Sequence, residues 1–256
     1  MPLAEEITPA LKGLKFGQPL YAFESIGSTN DEARRLAEAG APTGTLVIAD
    51  EQTAGRGRSG RAWMTPRGSA IAMSLVLRPT LTNAAPLTML AGVAVCEAIE
   101  IVSGARAALK WPNDVWLAGK KCAGILAESA LCGERLDYAV LGIGINVSWS
   151  PPAEAVDFPA TCVQAEAQRP VSRAALVREV LTQLEVAYPR LSERSLFEKW
   201  QARLVTLGQT VHVQLGAEMF TGQAQAVTEA GALLVQLSDG TVRAVLAGEV
   251  RVRPVI

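Results

Sequence analysis

Between Gly55 and Trp63 the chain reads GRGRSGRAW, with arginines at 56, 58 and 61 spaced by glycines at 55, 57 and 60. Guanidinium groups are planar, permanently charged forks that match carboxylates and phosphates, and glycines free the backbone for positive φ and for close approach of its N–H groups. That combination suits an anion cradle. A solvated basic turn has the same composition, and Gly-Arg clusters also occur in RNA-binding tails; the buried strands read on either side and the lack of repetition favour the cradle. A second constellation is KWPNDVWLAGKKCAGILAE, from Lys110 to Glu128. Here Pro112 bends the chain so that Asn113 and Asp114 present an amide and a carboxylate to the cleft that Lys110 reaches from a strand end. A turn then returns Lys121, whose stem the apolar residues after it draw inward, leaving its ammonium in a partly dry site. Lysines beside a strand are also what a solvated surface carries, so this motif by itself leaves both readings open. In a third, LGIGINV, Gly142 and Gly144 alternate with large apolar residues, which implies a ligand or another backbone lying against them, or a bulge.

Other chemistries are excluded by what is missing. His212 is the one histidine, in the alternating stretch VHVQL, and reads as an exposed strand residue; multi-histidine zinc sites are excluded and a Ser-His-Asp triad would have to recruit it. Cys96, Cys122, Cys132 and Cys162 show no CxxC pair and no metal-ligand spacing, so they read as reduced, partly buried thiols of a cytoplasmic protein with no metal site. A net charge of −1 argues against a chain devoted to nucleic acid, whose partners demand a basic excess. The N-terminus, MPLAEEITPALKG, is acidic where a secretory leader is basic, and no apolar run reaches the ~20 residues that cross a bilayer, so no membrane association is expected. With 49% apolar residues in 256, the chain has the composition of a main globular domain with a small appendage.

These residues need elements to position them. PLYAFESI reads as a strand, and STNDEARRLAEAG as a short helix from about Asn30, with Thr29 and Glu32 at capping-box spacing and Gly40 as C-terminal cap. GTLVIAD is a buried strand that delivers Glu51, Gln52 and the arginine loop, and residues 69–77 form a central strand after it. Apolar residues from Pro86 to Val102 repeat every 3.6 positions, predicting a packed helix. ALKWPNDVWL, KCAGILAESAL and DYAVLGIGINV predict a three-run β-meander, and two helices follow, Arg173–Tyr188 capped by Ser172 and Glu193–Leu204 starting at Ser192. TVHVQL, AQAVTE, ALLVQL, TVRAVL and EVRVR, with a turn at Asp239-Gly240, predict a small closed β-barrel. The boundary falls near Leu204–Gly208, giving domains 1–204 and 205–256.

Taken together, STN at 28–30, EQTAGRGRSGRAW from Glu51, KWPNDVW from Lys110, KKCAGIL from Lys120 and GIGIN at 142–146 closely resemble the biotin–protein ligase family, in the family's order and with similar separations. The resemblance implies an α+β fold: a mixed, largely antiparallel central sheet flanked by helices, as in class II aminoacyl-tRNA synthetases and biotin–lipoate ligases, with a C-terminal SH3-like β-barrel. It implies that biotin and ATP, with Mg²⁺, form biotinyl-5′-AMP, and that a lysine of a biotin carboxyl carrier protein, of acetyl-CoA carboxylase or a related carboxylase, then takes the biotinyl group. By the same resemblance Ser28, Thr29, Asn30 and Gln52 bind the uncharged bicycle of biotin. Gly55, Arg56, Gly57 and Arg58 lie along its carboxylate and the α-phosphate, Arg61 reaches the outgoing phosphates, and Trp63 walls the pocket. Lys121 contacts both carboxylate and forming adenylate and, with Arg58, is the catalytic candidate. Lys110, Asn113, Asp114 and Asn146 go to the nucleotide and its Mg²⁺, Asp114 being also a candidate to receive the carrier's lysine.

Two departures from the family pattern stand out. Position 59 is serine where many members have a basic residue, and only about twenty residues precede the first strand, too few for the DNA-binding domain of some members. A ligase without repressor function, monomeric or homodimeric, is expected. Lipoate–protein ligase is the enzymatic alternative, although its usual histidine motif is missing, and a non-catalytic biotin or nucleotide sensor is the other.

Overall fold

The computed structural model describes residues 2–80, 84–156, 158–246 and 249–252. The chain opens with α1 (Leu3–Ile7) and a single 3-10 turn at Thr8–Leu11, which the sequence reading does not anticipate; Leu3, Ile7 and Leu11 are their buried side. β1 (Leu20–Phe23), α2 (Thr29–Glu38), β2 (Leu46–Ala49), β3 (Ala70–Leu77) and α3 (Ala85–Ser103) follow. The expected three-run meander comes as four strands, β4 (Ala107–Lys110), β5 (Asp114–Leu117), β6 (Lys120–Cys132) and β7 (Arg135–Asn146). The first run divides at Trp111-Pro112-Asn113 because a proline has no N–H to continue a ladder. After α4 (Val163–Ala167), α5 (Arg173–Ala187) and α6 (Arg194–Ala202) the chain enters β8 (Thr210–Leu215), β9 (Glu218–Val227), β10 (Leu233–Gln236), β11 (Val242–Val245) and β12 (Glu249–Val252). Ser172 caps α5 by accepting from Ala175 N–H at 3.2 Å, as expected, while α6 is capped at Glu193, one residue beyond Ser192.

The first sheet has the order β1-β2-β3-β7-β6-β5-β4, parallel only between β1 and β2 and antiparallel elsewhere, the mixed sheet expected. The second is fully antiparallel, β11-β10-β9-β8-β12. Where a closed barrel is expected, β11 and β12 are the two edges of this sheet and do not pair with each other among the described residues; the Asp239-Gly240 turn closes with Leu237 N–H on Thr241 O at 2.8 Å, and the last residue of EVRVR, Arg253, lies outside the described residues. His212 sits exposed on β8, as read.

The two faces of the first sheet are covered differently. One face carries Ile71, Met73, Leu75 and Leu77 of β3 into a continuous core with Leu87, Leu90 and Ile99 of α3 and Val177 and Leu184 of α5. Full burial stabilises each such side chain by about 1.5–3 kcal/mol over exposure, so this face dominates the fold's energetics. On the other face, α2 covers only one end, where Ala33, Leu36 and Ala37 pack on Val47, Val76, Tyr138 and Val140. Two residues on along each strand the large side chains stop: Val76 gives way to Ser74 and Ala72, and Val140 to Gly142 and Gly144, with Ala72 opposite Gly144 and Ser74 opposite Gly142.

By length and composition alone α3 is long and apolar enough to cross a membrane. It is instead a core helix, with Leu87, Leu90, Val95, Ala98 and Ile99 at most 1% exposed. Leu90→Ala should therefore cost about 2–5 kcal/mol in denaturant unfolding. Ile101→Ala on the same helix, at a residue 61% exposed, should cost under ~0.5 kcal/mol.

Candidate active site

Where the sheet face turns to small residues, a cavity of ≈ 460 Å³ opens, lined by every residue that the resemblance assigns to biotin or the nucleotide except Gly55. The glycines of LGIGINV are small because side chains of this protein lie on them. A methyl on Gly142 would come 2.2 Å from Asn30 Oδ1, and one on Gly144 would come 2.4 Å from Trp63 Cε2. The expected ligand, second backbone or bulge is thus replaced by Asn30 and the indole of Trp63, which also approaches Gly124, the partner of Gly144 across β6 and β7. Trp63 Nε1 is buried and has no hydrogen-bond partner among the described residues. A donor left like this inside a cavity is one that a ligand can satisfy.

One end of the cavity is neutral. Ser28 occupies the N-cap position of α2 without a side-chain cap bond, and the expected capping box is not formed, because Glu32 pairs with Arg35 at 2.7 Å and Thr29 is already helical. The side chain of Gln52 caps the helix in its place, with Oε1 accepting from Thr29 N–H at 2.8 Å and lying 3.1 Å from Thr29 Oγ1. Beneath them is Ser74, a fully buried hydroxyl 2.8 Å from Thr29 Oγ1 and 2.6 Å from Asn30 Oδ1. Sequence reasoning missed Ser74; its one signal is a hydroxyl in the otherwise apolar run AIAMSLVL.

The other end is charged. The arginine loop is a hairpin, tied by Gly57 N–H on Arg61 O at 2.7 Å and by Trp63 N–H on Gly55 O at 2.9 Å. Positive φ falls on Ser59 (56°) and Gly60 (73°), not on Gly55 and Gly57. Gly55 is small for another reason, since a methyl there would sit 2.4 Å from Trp63 O, and it does not line the cavity. The three arginines also divide. Arg56 is turned onto carboxylates, Asp31 at 2.6 Å and Glu128 at 3.6 Å, and its hydrogen bond to Asp31 holds its pKa above the ordinary guanidinium value. Arg61 is exposed on the cavity rim. Arg58, half-buried, faces an amide: desolvation lowers its pKa, Asp114 opposes the shift and Arg61 adds to it, and its hydrogen-bond partner is Asn113 Oδ1 at 3.4 Å.

Lys121 reaches the same place, its Nζ 2.7 Å from Asp114 Oδ1 and 5.7 Å from the centre of the Trp63 ring. A β-bulge aims it there. β5 pairs Val115 with Ala123 and Trp116 with Lys121, so Cys122 is an extra residue on β6. The extra residue breaks the alternation, and Lys121 joins Gly124 on the cavity side while Cys122 and Ala123 both enter the core. Asn113 Nδ2 donates to Ile125 O at 2.6 Å and buried Asn146 Nδ2 to Thr161 O at 3.1 Å, which fixes both amides. Lys110, 3% exposed, lines the cavity, but its ammonium donates to Val250 O of β12 at 2.7 Å and lies 4.6 Å from the Phe158 ring centre. Cys96, Cys122 and Cys162 are buried free thiols; burial pushes Cys96 up to about 12, which keeps it protonated and inert.

A neutral pocket joined to a half-buried cluster of cations is the geometry on which the comparisons with known proteins bear. Residues 22–146 match the biotin/lipoate A/B protein ligase family, and residues 206–253 match the biotin protein ligase C-terminal domain. The biotin–[acetyl-CoA-carboxylase] ligase of Paracoccus denitrificans is 36% identical over 220 residues, covering 82% of this chain and 90% of that protein. The chain belongs to this ligase family. The bifunctional ligase/repressor BirA of Bacillus subtilis is 35% identical over 243 residues, 92% of this chain and 74% of that protein. In three dimensions, the biotin protein ligase of Aquifex aeolicus in complex with biotin and ATP superposes with a TM-score of 0.76 at 31% identity, over 91% of this chain and 97% of that one. The packing of Trp63 on Gly144 leaves no room for a side chain at position 144. Gly144→Ala should displace the indole, altering near-UV circular dichroism and costing roughly 1–3 kcal/mol in unfolding.

Proposed function

We propose that the protein activates biotin with ATP to biotinyl-5′-AMP, releasing pyrophosphate, and transfers the biotinyl group to a lysine of a biotin carboxyl carrier protein. The observation that carries this reading is the convergence of Arg58 and Lys121 on Asp114 in one cavity whose far end is lined by Ser28, Thr29, Asn30 and Gln52. An uncharged ureido ring suits the second group, and two anions that must meet suit the first.

The biotin carboxylate supplies the nucleophile: one of its oxygens bonds to the α-phosphorus as the bond to pyrophosphate breaks. The protein holds the anions together and offsets charge that builds at phosphorus. Lys121 and Arg58 are suited to this, because cations in a partly dry site act more strongly than in water. In the second half-reaction the carrier's amine attacks the acyl carbon and AMP leaves; Asp114 is the carboxylate nearest these cations and a candidate to take the amine's proton. Asp114, Asn113 and Asn146 offer the oxygens that Mg²⁺ prefers. No group of three His, Cys, Asp or Glu side chains able to hold a metal occurs among the described residues, so the ion fits best as one carried chiefly by the ATP phosphates. Arg56 is better read as a fastening of the loop than as a ligand of the carboxylate, since two carboxylates already hold it. Residues 1–204 would form the catalytic domain and 205–256 the smaller one, in a cytoplasmic enzyme.

A match to the biotin-specific C-terminal domain favours biotin over lipoate. The decisive experiment mixes the pure protein with biotin, Mg-ATP and a carrier domain and measures the carrier's mass. One biotinyl group added to one lysine is expected; an unmodified carrier, or lipoyl transfer in preference to biotinyl, overturns the reading. Lys121→Ala should lower biotin-dependent ATP–pyrophosphate exchange by about 10²–10³-fold with the fold retained. Arg58→Gly should let adenylate escape, detected as biotin on lysines of bystander proteins.

A further inference from the structure

We infer that Glu128, which lies outside the cavity lining, is a positioning residue that sets the hydrogen-bond polarity of the biotin pocket; the inference rests on the biotin reading above. Glu128 is on β6, 98 residues from Asn30 in sequence, and its Oε2 accepts from Asn30 Nδ2 at 2.6 Å. Its other oxygen, Oε1, takes Arg34 at 2.8 Å and lies 3.6 Å from Arg56 of the arginine loop. Held between guanidinium groups, the side chain acts as a carboxylate that only accepts.

An acceptor at that place decides which way each neighbour points. With its NH₂ turned to Glu128 and, at 3.5 Å, to Leu126 O, Asn30 must present Oδ1 to Ser74. Ser74 has one proton, and it goes to Asn30 Oδ1 at 2.6 Å. The Thr29 hydroxyl has two acceptors in reach, the Ser74 oxygen at 2.8 Å and Gln52 Oε1 at 3.1 Å, and its single proton goes to one of them. With the Ser74 proton drawn through Asn30 toward Glu128 in a relay, none is donated to Thr29 Oγ1, which keeps its lone pairs and has no free proton on the cavity side. A pocket of that polarity takes an N–H donor, which the ureido ring of biotin carries and a dithiolane lacks. Gly142 makes the relay possible, because any side chain there would occupy the place of Asn30 Oδ1.

Glu128→Gln tests it. The amide's single oxygen would go to Arg34, its NH₂ would face Asn30, and Asn30 would have to flip, reversing the relay. Measured by calorimetry, the Kd for biotin should rise about tenfold. The Kd for thiolane-2-pentanoate, the same acid without its ureido ring, should stay within about twofold of wild type. Ser74→Ala breaks the relay from the other side and should show the same selectivity, and the double variant should bind biotin no worse than about tenfold below wild type, since both changes cut one chain. Circular dichroism melts report the fold; should Glu128→Gln not fold, Ser74→Ala with the two acids carries the test. Equal losses for both acids, unchanged biotin affinity, or additive losses in the double variant would each overturn the relay. Wild-type protein unable to bind biotin would overturn the proposed function and the relay with it, whereas wild-type binding with an unaffected variant overturns the relay alone.

Discussion

A sheet face that runs from Val140 to Gly142 and Gly144 on one strand, and from Val76 to Ser74 and Ala72 on the next, cannot be closed by a helix over its whole length. Side chains large enough to meet α2 exist at one end only. Beyond them the backbone lies open, and what fills the space is not core but an asparagine, an indole and a cavity. Protein interiors tolerate few voids, so an opening of this size is kept only because the opposite face carries the stabilising burial. The division of labour between the faces precedes any assignment of roles to residues.

Within the opening, charge is graded. Asp114 stands between the cations, contacting Lys121 and partly offsetting the cost of desolvating Arg58. Withdrawing a cation from water without a partner is costly, and two half-buried cations near one carboxylate leave an excess of positive charge that an entering anion relieves. Toward α2 the side chains become neutral, and their hydrogen bonds run among themselves before any ligand arrives. The cluster of Arg34, Arg56, Asp31 and Glu128 separates these two regions and is balanced in sign. It fastens the arginine loop to α2 and β6 without adding to the charge that faces the cavity.

The second sheet is attached close to this machinery. As the chain leaves α6, Leu109 N–H donates to Arg203 O at 2.8 Å and Val205 N–H to Leu109 O at 2.9 Å, which covers the outer edge of β4. Trp111, 1% exposed, adds Nε1 to Gly231 O at 2.9 Å, and Lys110 reaches Val250 O. An edge strand left open would be a template for unwanted pairing, so this cover protects the first sheet as it seats the second beside the cavity.

Much of this was legible in the residues themselves. Periodicity marked α3, capping signals marked α2 and α5, with Ser172 and Gly40 at helix ends, and Gly240 marked a turn whose positive φ glycine adopts readily. The clustering of arginine with glycine, and of lysine with Asn113 and Asp114, named the lysines and arginines that line the cavity, because those types are uncommon inside a fold without a reason. What sequence could not decide was partnership. Arg56 and Arg58 are two residues apart and chemically identical, yet one lies against carboxylates and the other faces an amide. Lys121 points into the cavity because of an extra residue opposite β5, and Gly142 and Gly144 are small because Asn30 and Trp63 rest on them. Each outcome depends on atoms brought together from distant parts of the chain, through register, a bulge and the packing of one element on another. Local composition determines which groups are available; only the folded arrangement determines what each one faces.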